Sequence, residues 1–431
     1  MGLLQQVTIN TVYRITFLVF QLLNTILISR LIGPEGFGVY SLVIVNANLL
    51  LVFSSMGIPA GILFHASARD LPLNRIEKIL WVSTLLQFVL AAVVEFIHHS
   101  FKGSYWIWPS DEMIYGAMGI LFFLAIVVTE KYYALYNGFH KFPLYNLITV
   151  IFNTMLFLVL ALMWTDNAPG DAATIIQVYI AVQLIQVNCL ILVFHLGKLG
   201  KHPIIESAGV QRKFINYSLY AFLANALFFL VTRVDFWILE YYKGATELGW
   251  YALSSRIGQM FLVLPGLFAG IVLPSLTAGK IGADKLERML RILNTMNIII
   301  MTSLAIILPW LMPFLFGNKF ESSVLPLLLL LPGIFFLAAQ TLLASYFAAK
   351  GTPSINFYST IIALSIVLVL DFILIPVYGA PGAAAASTVA YAAGTLYTYL
   401  LYIKQEKYQW SKLLMKRQDL QHFLNMIRKH S

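Results

Sequence analysis

Apolar residues dominate this chain in runs of about 20, the length needed to cross a bilayer core. The polar gaps between runs are short. The runs predict twelve helices, at 7–30, 38–64, 77–98, 113–135, 144–164 and 173–196 in the first half. The second half gives 214–241, 249–278, 290–316, 323–348, 355–377 and 381–403. The pattern is that of a polytopic all-α membrane protein.

Composition agrees with the pattern. Of 431 residues, 60% are hydrophobic and 11% charged, with a mean hydropathy of +0.81. A water-soluble domain of this size has too little interior to hide so much apolar surface. The net charge of +9 is distributed as a topology signal rather than as a nucleic-acid footprint. With an even number of spans both termini share a side, which carries 21 of the 28 basic residues, Lys131 among them. The opposite loops carry Arg30, Lys102, Lys243 and Lys319. The positive-inside rule therefore places both termini in the cytoplasm. No removable signal peptide is evident, and the first span is expected to act as its own insertion signal. The single cysteine, Cys189, lies in an apolar run and excludes an intrachain disulfide. In the 404–431 tail, Trp410, Leu413, Leu414, Leu420, Phe423, Leu424 and Ile427 share a helical face apart from Lys412, Lys416 and Arg417. Such a helix would lie on the anionic inner leaflet. In the outer loop Tyr105, Trp106 and Trp108 read as an interfacial belt. The neighbouring His98 and His99 have no carboxylate cluster beside them, so no metal site is expected.

One polar junction is spelled twice. LIGPEGFGVYSLV at 31–43 and KGATELGWYALS at 243–254 align Gly33 with Gly244, Gly38 with Gly249, Tyr40 with Tyr251 and Leu42 with Leu253. A second pair aligns Pro143 with Pro353 and Asn146 with Asn356 at almost the same offset. Six spans separate the copies, so the halves insert with one orientation, as parallel repeats. The expected architecture is two parallel six-helix lobes, 1–200 and 201–403, around a central cleft, followed by the basic tail. Rocking one lobe against the other would expose such a cleft to each face in turn.

Three stretches carry a family likeness: ISRLIGPEGFGVYSL, TRVDFWILEYYKGATELGWYALSSRIG and LPWLMPFLFGNKFESSVLPLLLLL. With the order of spans, they resemble the polysaccharide transporter family, which includes O-antigen flippases, of the multidrug/oligosaccharidyl-lipid/polysaccharide flippase superfamily. The resemblance implies a flippase moving an oligosaccharide linked to a polyprenyl diphosphate from the cytoplasmic to the outer leaflet. It would serve surface polysaccharide biosynthesis, such as that of lipopolysaccharide, in a prokaryotic inner membrane. The partners implied are the lipid-linked oligosaccharide, membrane lipids and the polysaccharide polymerase machinery, with neither cofactor nor nucleic acid.

Charges within spans are functional candidates because a hydrocarbon surrounding penalises them. Arg233 and Arg256 lie about 12 and 10 Å from their outer span ends, and Arg14 about 10 Å from its cytoplasmic end. Each guanidinium presents a planar fork to phosphate oxygens, which fits a diphosphate head group. Snorkelling to an interface is the competing reading for Arg14 and Arg256. Asp235 is two residues from Arg233, so it points elsewhere on the helix and needs Arg256, water or a cation. Its counterpart in the first half is Asn24. Asp235 and Asp371 are candidates to carry a coupling ion, against the alternative of a structural network. Asn46, Asn48, Asn153, Asn225, Gln183, Gln186, Asn294 and Asn297 either line a sugar path or bond between helices. Gly57, Pro59 and Gly61, and Pro265, Gly266, Gly270 and Pro274, break the second and eighth spans and offer hinges.

Other classes fit less well. A multidrug exporter of the same superfamily would favour carboxylates and aromatics over arginines. A major facilitator would show a Gly-x-x-x-Asp-Arg-x-Gly-Arg-Arg loop after span two, where this chain has HASARDLPLNRIEK. A glycan polymerase or ligase would need a larger outer loop than 99–112 to carry catalytic side chains. No nucleophile with a matching base and no Walker motif is present, so the chain is not expected to be an enzyme.

Overall fold

The computed structural model describes residues 3–68, 71–100, 113–166, 170–197, 210–263, 265, 266, 269, 283–352 and 354–406. The aromatic outer loop, the basic tail beyond Glu406, Gly270 and Pro274 lie outside them. Eleven α-helices run through the described residues: α1 (Leu3–Ser55), α2 (Ile58–Ala68), α3 (Leu73–Ser100), α4 (Met113–Gly138), α5 (Phe142–Thr165), α6 (Ala172–Leu196), α7 (Val210–Met260), α8 (Ala283–Phe316), α9 (Val324–Ala349), α10 (Ser354–Tyr378) and α11 (Ala380–Glu406). Eight described helices are long and apolar enough to cross a membrane. The α-only expectation holds because a hydrocarbon surrounding requires each segment to satisfy its own backbone.

The junction between the first two predicted spans is a single-residue kink. Helix continues on both sides of Gly33, whose φ is 66° and ψ −176°, and Gly244 repeats it at 79° and −179°. This region is open essentially only to glycine. A Cβ at either position would meet nothing within 4 Å, so backbone conformation, not space, demands the glycine. Thus α1 and α7 each hold two successive segments, and the predicted segment order is recovered. The aligned Tyr40 and Tyr251 are both 1% exposed.

The chain divides into two compact units, Met1–Phe229 and Leu230–Ser431. In the first, α1 packs on α5, α2 on α4, and α4 on α6. In the second, α11 packs on both α9 and α10, and α8 on α9. Close approach to α11 depends on its small residues: a Cβ at Gly382 would sit 2.5 Å from the Leu374 carbonyl oxygen, and one at Gly394 3.1 Å from that of Ser359. Leu286, Leu290 and Leu293 of α8 pack with Leu342, Leu343, Tyr346 and Phe347 of α9 and Tyr399 and Tyr402 of α11.

Each glycine kink abuts the connection between the last two helices of its own unit. Gly170 lies against the Leu31 carbonyl in the first. In the second, Glu247 accepts the Ala380 amide at 2.9 Å, beside Gly379. The kink therefore ties a unit's opening helix to its closing hairpin. Helix α6 begins at a capping aspartate, Asp171, which accepts the Thr174 amide at 2.8 Å. That interaction with Thr174 holds the carboxyl below the usual carboxylate range.

Two expectations change on burial. Lys131, counted among cytoplasmic charges, is 1% exposed within α4 and takes no part in the topology signal. Its removal leaves the basic excess on that side intact. Two of the amides read as either lining a path or bonding between helices bond their own helix: Asn48 donates to Ile44, and Asn153 to Thr149. The break in the second span falls at Met56 and Gly57, both at positive φ. The break after α7 comes at Phe261 and Leu262, ahead of Pro265.

Gly33→Ala and Gly244→Ala are each expected to destabilise the fold by about 1–3 kcal/mol through backbone strain alone. Thermal unfolding of purified protein checks this, and unchanged stability would show that the kink tolerates another conformation.

Candidate functional site

The second unit buries a polar cluster that the Gly244 kink assembles. The first segment of α7 carries Arg233 and Asp235, and the kink returns the chain so that the second presents Tyr251, Ser255 and Gln259 at four-residue intervals. Such spacing puts all three on one helical face. Arg233 donates to Gln259 Oε1 at 2.8 Å and Ser255 Oγ at 3.3 Å, and Gln259 Nε2 donates to Ser255 Oγ at 3.3 Å. Its guanidinium also reaches the Thr232 carbonyl at 3.3 Å and lies 5.0 Å from the centre of the Phe236 ring.

Asp235 is fully buried. Its Oδ2 accepts the Tyr251 hydroxyl and the Ser387 hydroxyl, the latter at 3.0 Å from α11. Tyr251 and Ser387 are themselves 3.2 Å apart, closing a triangle. Sequence reasoning gave Asp235 an arginine, water or a cation as partner, and the structure supplies two hydroxyls. The carboxylate feels the charge of Arg233, but the guanidinium makes its hydrogen bonds elsewhere, as the two-residue spacing predicted. Asp235 Oδ1 is buried without a hydrogen-bond partner among the described residues.

Asp371, on α10, is also 0% exposed, and neither of its carboxylate oxygens has a hydrogen-bond partner among the described residues. It interacts electrostatically with Asp235, and Tyr391 of α11 with both carboxylates and Arg233. Val231, Leu337, Ala363, Val367, Ala386 and Ala390 form an apolar cluster with Tyr391 in the same unit. A carboxylate buried without partners is costly while ionised.

Arg256 follows Ser255 and interacts electrostatically with Arg233. Four predicted residues, Arg233, Arg256, Asp235 and Asp371, thus belong to the second unit. Arg14 lies on α1 in the first, exposed. The first unit places Asn24 where the second has Asp235, and its amide donates to the Asn153 carbonyl at 3.1 Å. Tyr40 packs edge-on against Tyr179 at 5.7 Å, and the corresponding Tyr251 and Tyr391 interact in the second unit. Sequence reading used Tyr251 only as a repeat marker and passed over Ser255, Gln259, Ser387 and Tyr391. The spacing Tyr251–Ser255–Gln259 and the pair Ser387–Tyr391 within an alanine-rich helix were the available signals.

A family model described as polysaccharide biosynthesis protein matches residues 3–279. The chain is 22% identical over 371 residues to an uncharacterized membrane protein of Methanocaldococcus jannaschii, covering 83% of this chain and 88% of that one. It is 27% identical over 189 residues to the capsular polysaccharide biosynthesis protein CapF of Staphylococcus aureus, 42% of this chain and 47% of that one. Among solved structures it resembles the lipid II flippase MurJ in an inward closed conformation, with a TM-score of 0.71 and 15% identity over 94% of this chain and 88% of that one. An inward-facing multidrug resistance MATE transporter gives a TM-score of 0.67 at 13% identity, over 90% of this chain and 94% of that one. These likenesses show the fold of membrane transporters. By its match from residue 3 to residue 279, the chain belongs to the polysaccharide biosynthesis protein family.

Proposed function

We propose that the chain carries a polyprenyl-diphosphate-linked oligosaccharide from the cytoplasmic to the outer leaflet by alternating access of two six-helix lobes. The observation that carries this reading is Arg233, a guanidinium whose hydrogen bonds go to neutral oxygens, with Arg256 beside it. A cation held by an amide, a hydroxyl and a carbonyl keeps its positive charge for another anion. A diphosphate is a strong candidate for that anion, and Arg14 would meet it from the first lobe. The repeated glycine kink supports duplicated lobes. The basic excess on the side of the termini supports a plasma-membrane protein with cytoplasmic ends.

Energy for the cycle would enter at Asp235 and Asp371. Three buried carboxylate oxygens without hydrogen-bond partners among the described residues support protonation or cation binding as the event that changes their charge. A second reading, an ion-coupled multidrug exporter, is favoured by this same carboxylate pair and by the likeness to MATE transporters. The two readings differ at the arginines, which a lipid-linked diphosphate requires and a cationic drug would avoid.

Losing one charge-assisted hydrogen bond costs roughly 1.5–3 kcal/mol, so Arg233→Ala or Arg256→Ala should each slow lipid-linked glycan transport about tenfold or more. The double variant should abolish surface polysaccharide while remaining inserted and expressed. Intact polysaccharide in that strain, with altered drug susceptibility instead, would move the assignment to export. Asp235→Asn and Asp371→Asn should each remove the dependence of transport on external pH or sodium. A dependence unchanged in both variants would leave the carboxylates a structural role.

A further inference from the structure

Lys131 is a buried charge that the transport reading does not use. Four oxygens lie within hydrogen-bond reach of its three N–H donors: Gln87 Oε1 at 2.6 Å, Thr84 Oγ1 at 2.8 Å, Ser83 Oγ at 2.9 Å and the Leu80 carbonyl at 3.4 Å. All four belong to one face of α3, at the i, i+3, i+4 and i+7 positions of a helix. The residue beside it, Glu130, attracts the ammonium electrostatically without bonding it.

Each acceptor is fixed as an acceptor by a further hydrogen bond. Ser83 and Thr84 both send their hydroxyl protons to the Leu80 carbonyl, at 2.9 and 2.8 Å. Gln87 turns its amide nitrogen to Ser54 Oγ of α1 at 3.1 Å, leaving its oxygen for the lysine. Only lone pairs therefore face the ammonium nitrogen. A shell of four neutral oxygens, with no donor among them, is the coordination chemistry of a monovalent cation whose hydration has been replaced by protein oxygens. Ammonium and potassium are close in size and accept similar oxygen shells.

We propose that this α3 oxygen cluster is a monovalent-cation site whose resident cation is the chain's own Lys131 side chain. Removing the side chain exposes the site to a free ion of ammonium or potassium size. The first unit thus holds a tethered charge where a diffusible ion could otherwise bind, and its α1–α3–α4 packing does not vary with ionic conditions. This holds whichever substrate the chain carries.

The test compares thermal unfolding of purified full-length wild type, Lys131→Ala and Lys131→Met in KCl, NH4Cl and choline chloride at equal ionic strength. Ligand binding to the folded state raises the midpoint by an amount that grows with the logarithm of ligand concentration above the dissociation constant. Lys131→Ala should unfold at lower temperature than wild type in choline chloride. It should recover by roughly 2 °C or more in KCl or NH4Cl, beyond any response of wild type. Lys131→Met, whose apolar stem fills the space without a charge, should gain no more from KCl than wild type does. Adding Ser83→Ala and Gln87→Leu to Lys131→Ala should erase the recovery. The proposal is overturned if Lys131→Ala gains no more than wild type, if Lys131→Met gains equally, or if Lys131→Ala fails to fold in KCl as well as in choline chloride.

Discussion

The Oδ2 atom of Asp235 ties together three chain segments, two from α7 on either side of its kink and one from α11. The Tyr251 hydroxyl reaches it only because α7 folds back at Gly244. Tyr251 is seven residues beyond that glycine, and only the glycine's left-handed extended backbone turns the second segment toward the first. The rest of the second unit accommodates this junction. Glu247 of the returning segment caps α11 at Ala380, which holds Ser387 in register. The alanine-rich face of α11 then lets the helix approach closely enough for a short serine side chain to serve as a partner.

The two units share a backbone solution and diverge in chemistry. Gly33 and Gly244 adopt nearly the same angles, and a tyrosine seven residues later is buried in both. Yet Asn24 stands where Asp235 does, and its amide nitrogen donates to a neutral carbonyl while its Oδ1 has no hydrogen-bond partner among the described residues. In the first unit Lys131 is buried and hydrogen-bonded within its own unit, while Oε2 of the adjacent Glu130 is buried without a hydrogen-bond partner among the described residues. In the second, buried carboxylate oxygens retain unused acceptor capacity. Incomplete satisfaction is costly in a low-dielectric interior, so it persists where a change of protonation or ligation has a use.

Helix placement was legible in the sequence because the hydrocarbon constraint acts on segments about 20 residues long, and that length is written directly as apolar runs. The kink was legible through repetition: Gly33 alone is one glycine among 27, whereas its echo at Gly244 marks a backbone requirement. The inaccessible part was pairing across helices. Lys131 looked cytoplasmic because its run of neighbours, Thr129 to Tyr133, is polar enough to pass for a span end. Its acceptors lie about 50 positions away on α3, and nothing in the local pattern at Ser83, Thr84 and Gln87 distinguishes a cation shell from an ordinary polar stripe. Ser387 was hidden for a similar reason, since a serine among alanines reads as a packing residue until a carboxylate is found opposite.

Arg233 and Asp235 illustrate why proximity along a helix does not by itself cancel charge. A turn of 3.6 residues sends neighbours two apart to opposite sides, so the arginine bonds Ser255 and Gln259 while the aspartate bonds Tyr251 and Ser387. Each charge is oriented by neutral dipoles of the returning segment, and neither uses up the other's hydrogen-bonding capacity. The two nevertheless interact electrostatically. A proton or cation arriving at the carboxylates would remove negative potential from beside the guanidinium and strengthen its attraction for an anion. Departure of that ion would weaken it. If Asp235 takes an ion and Arg233 an anion, as proposed above, coupling between them would follow from two residues on one helical turn that share a field but not a bond, with reciprocity required by linkage.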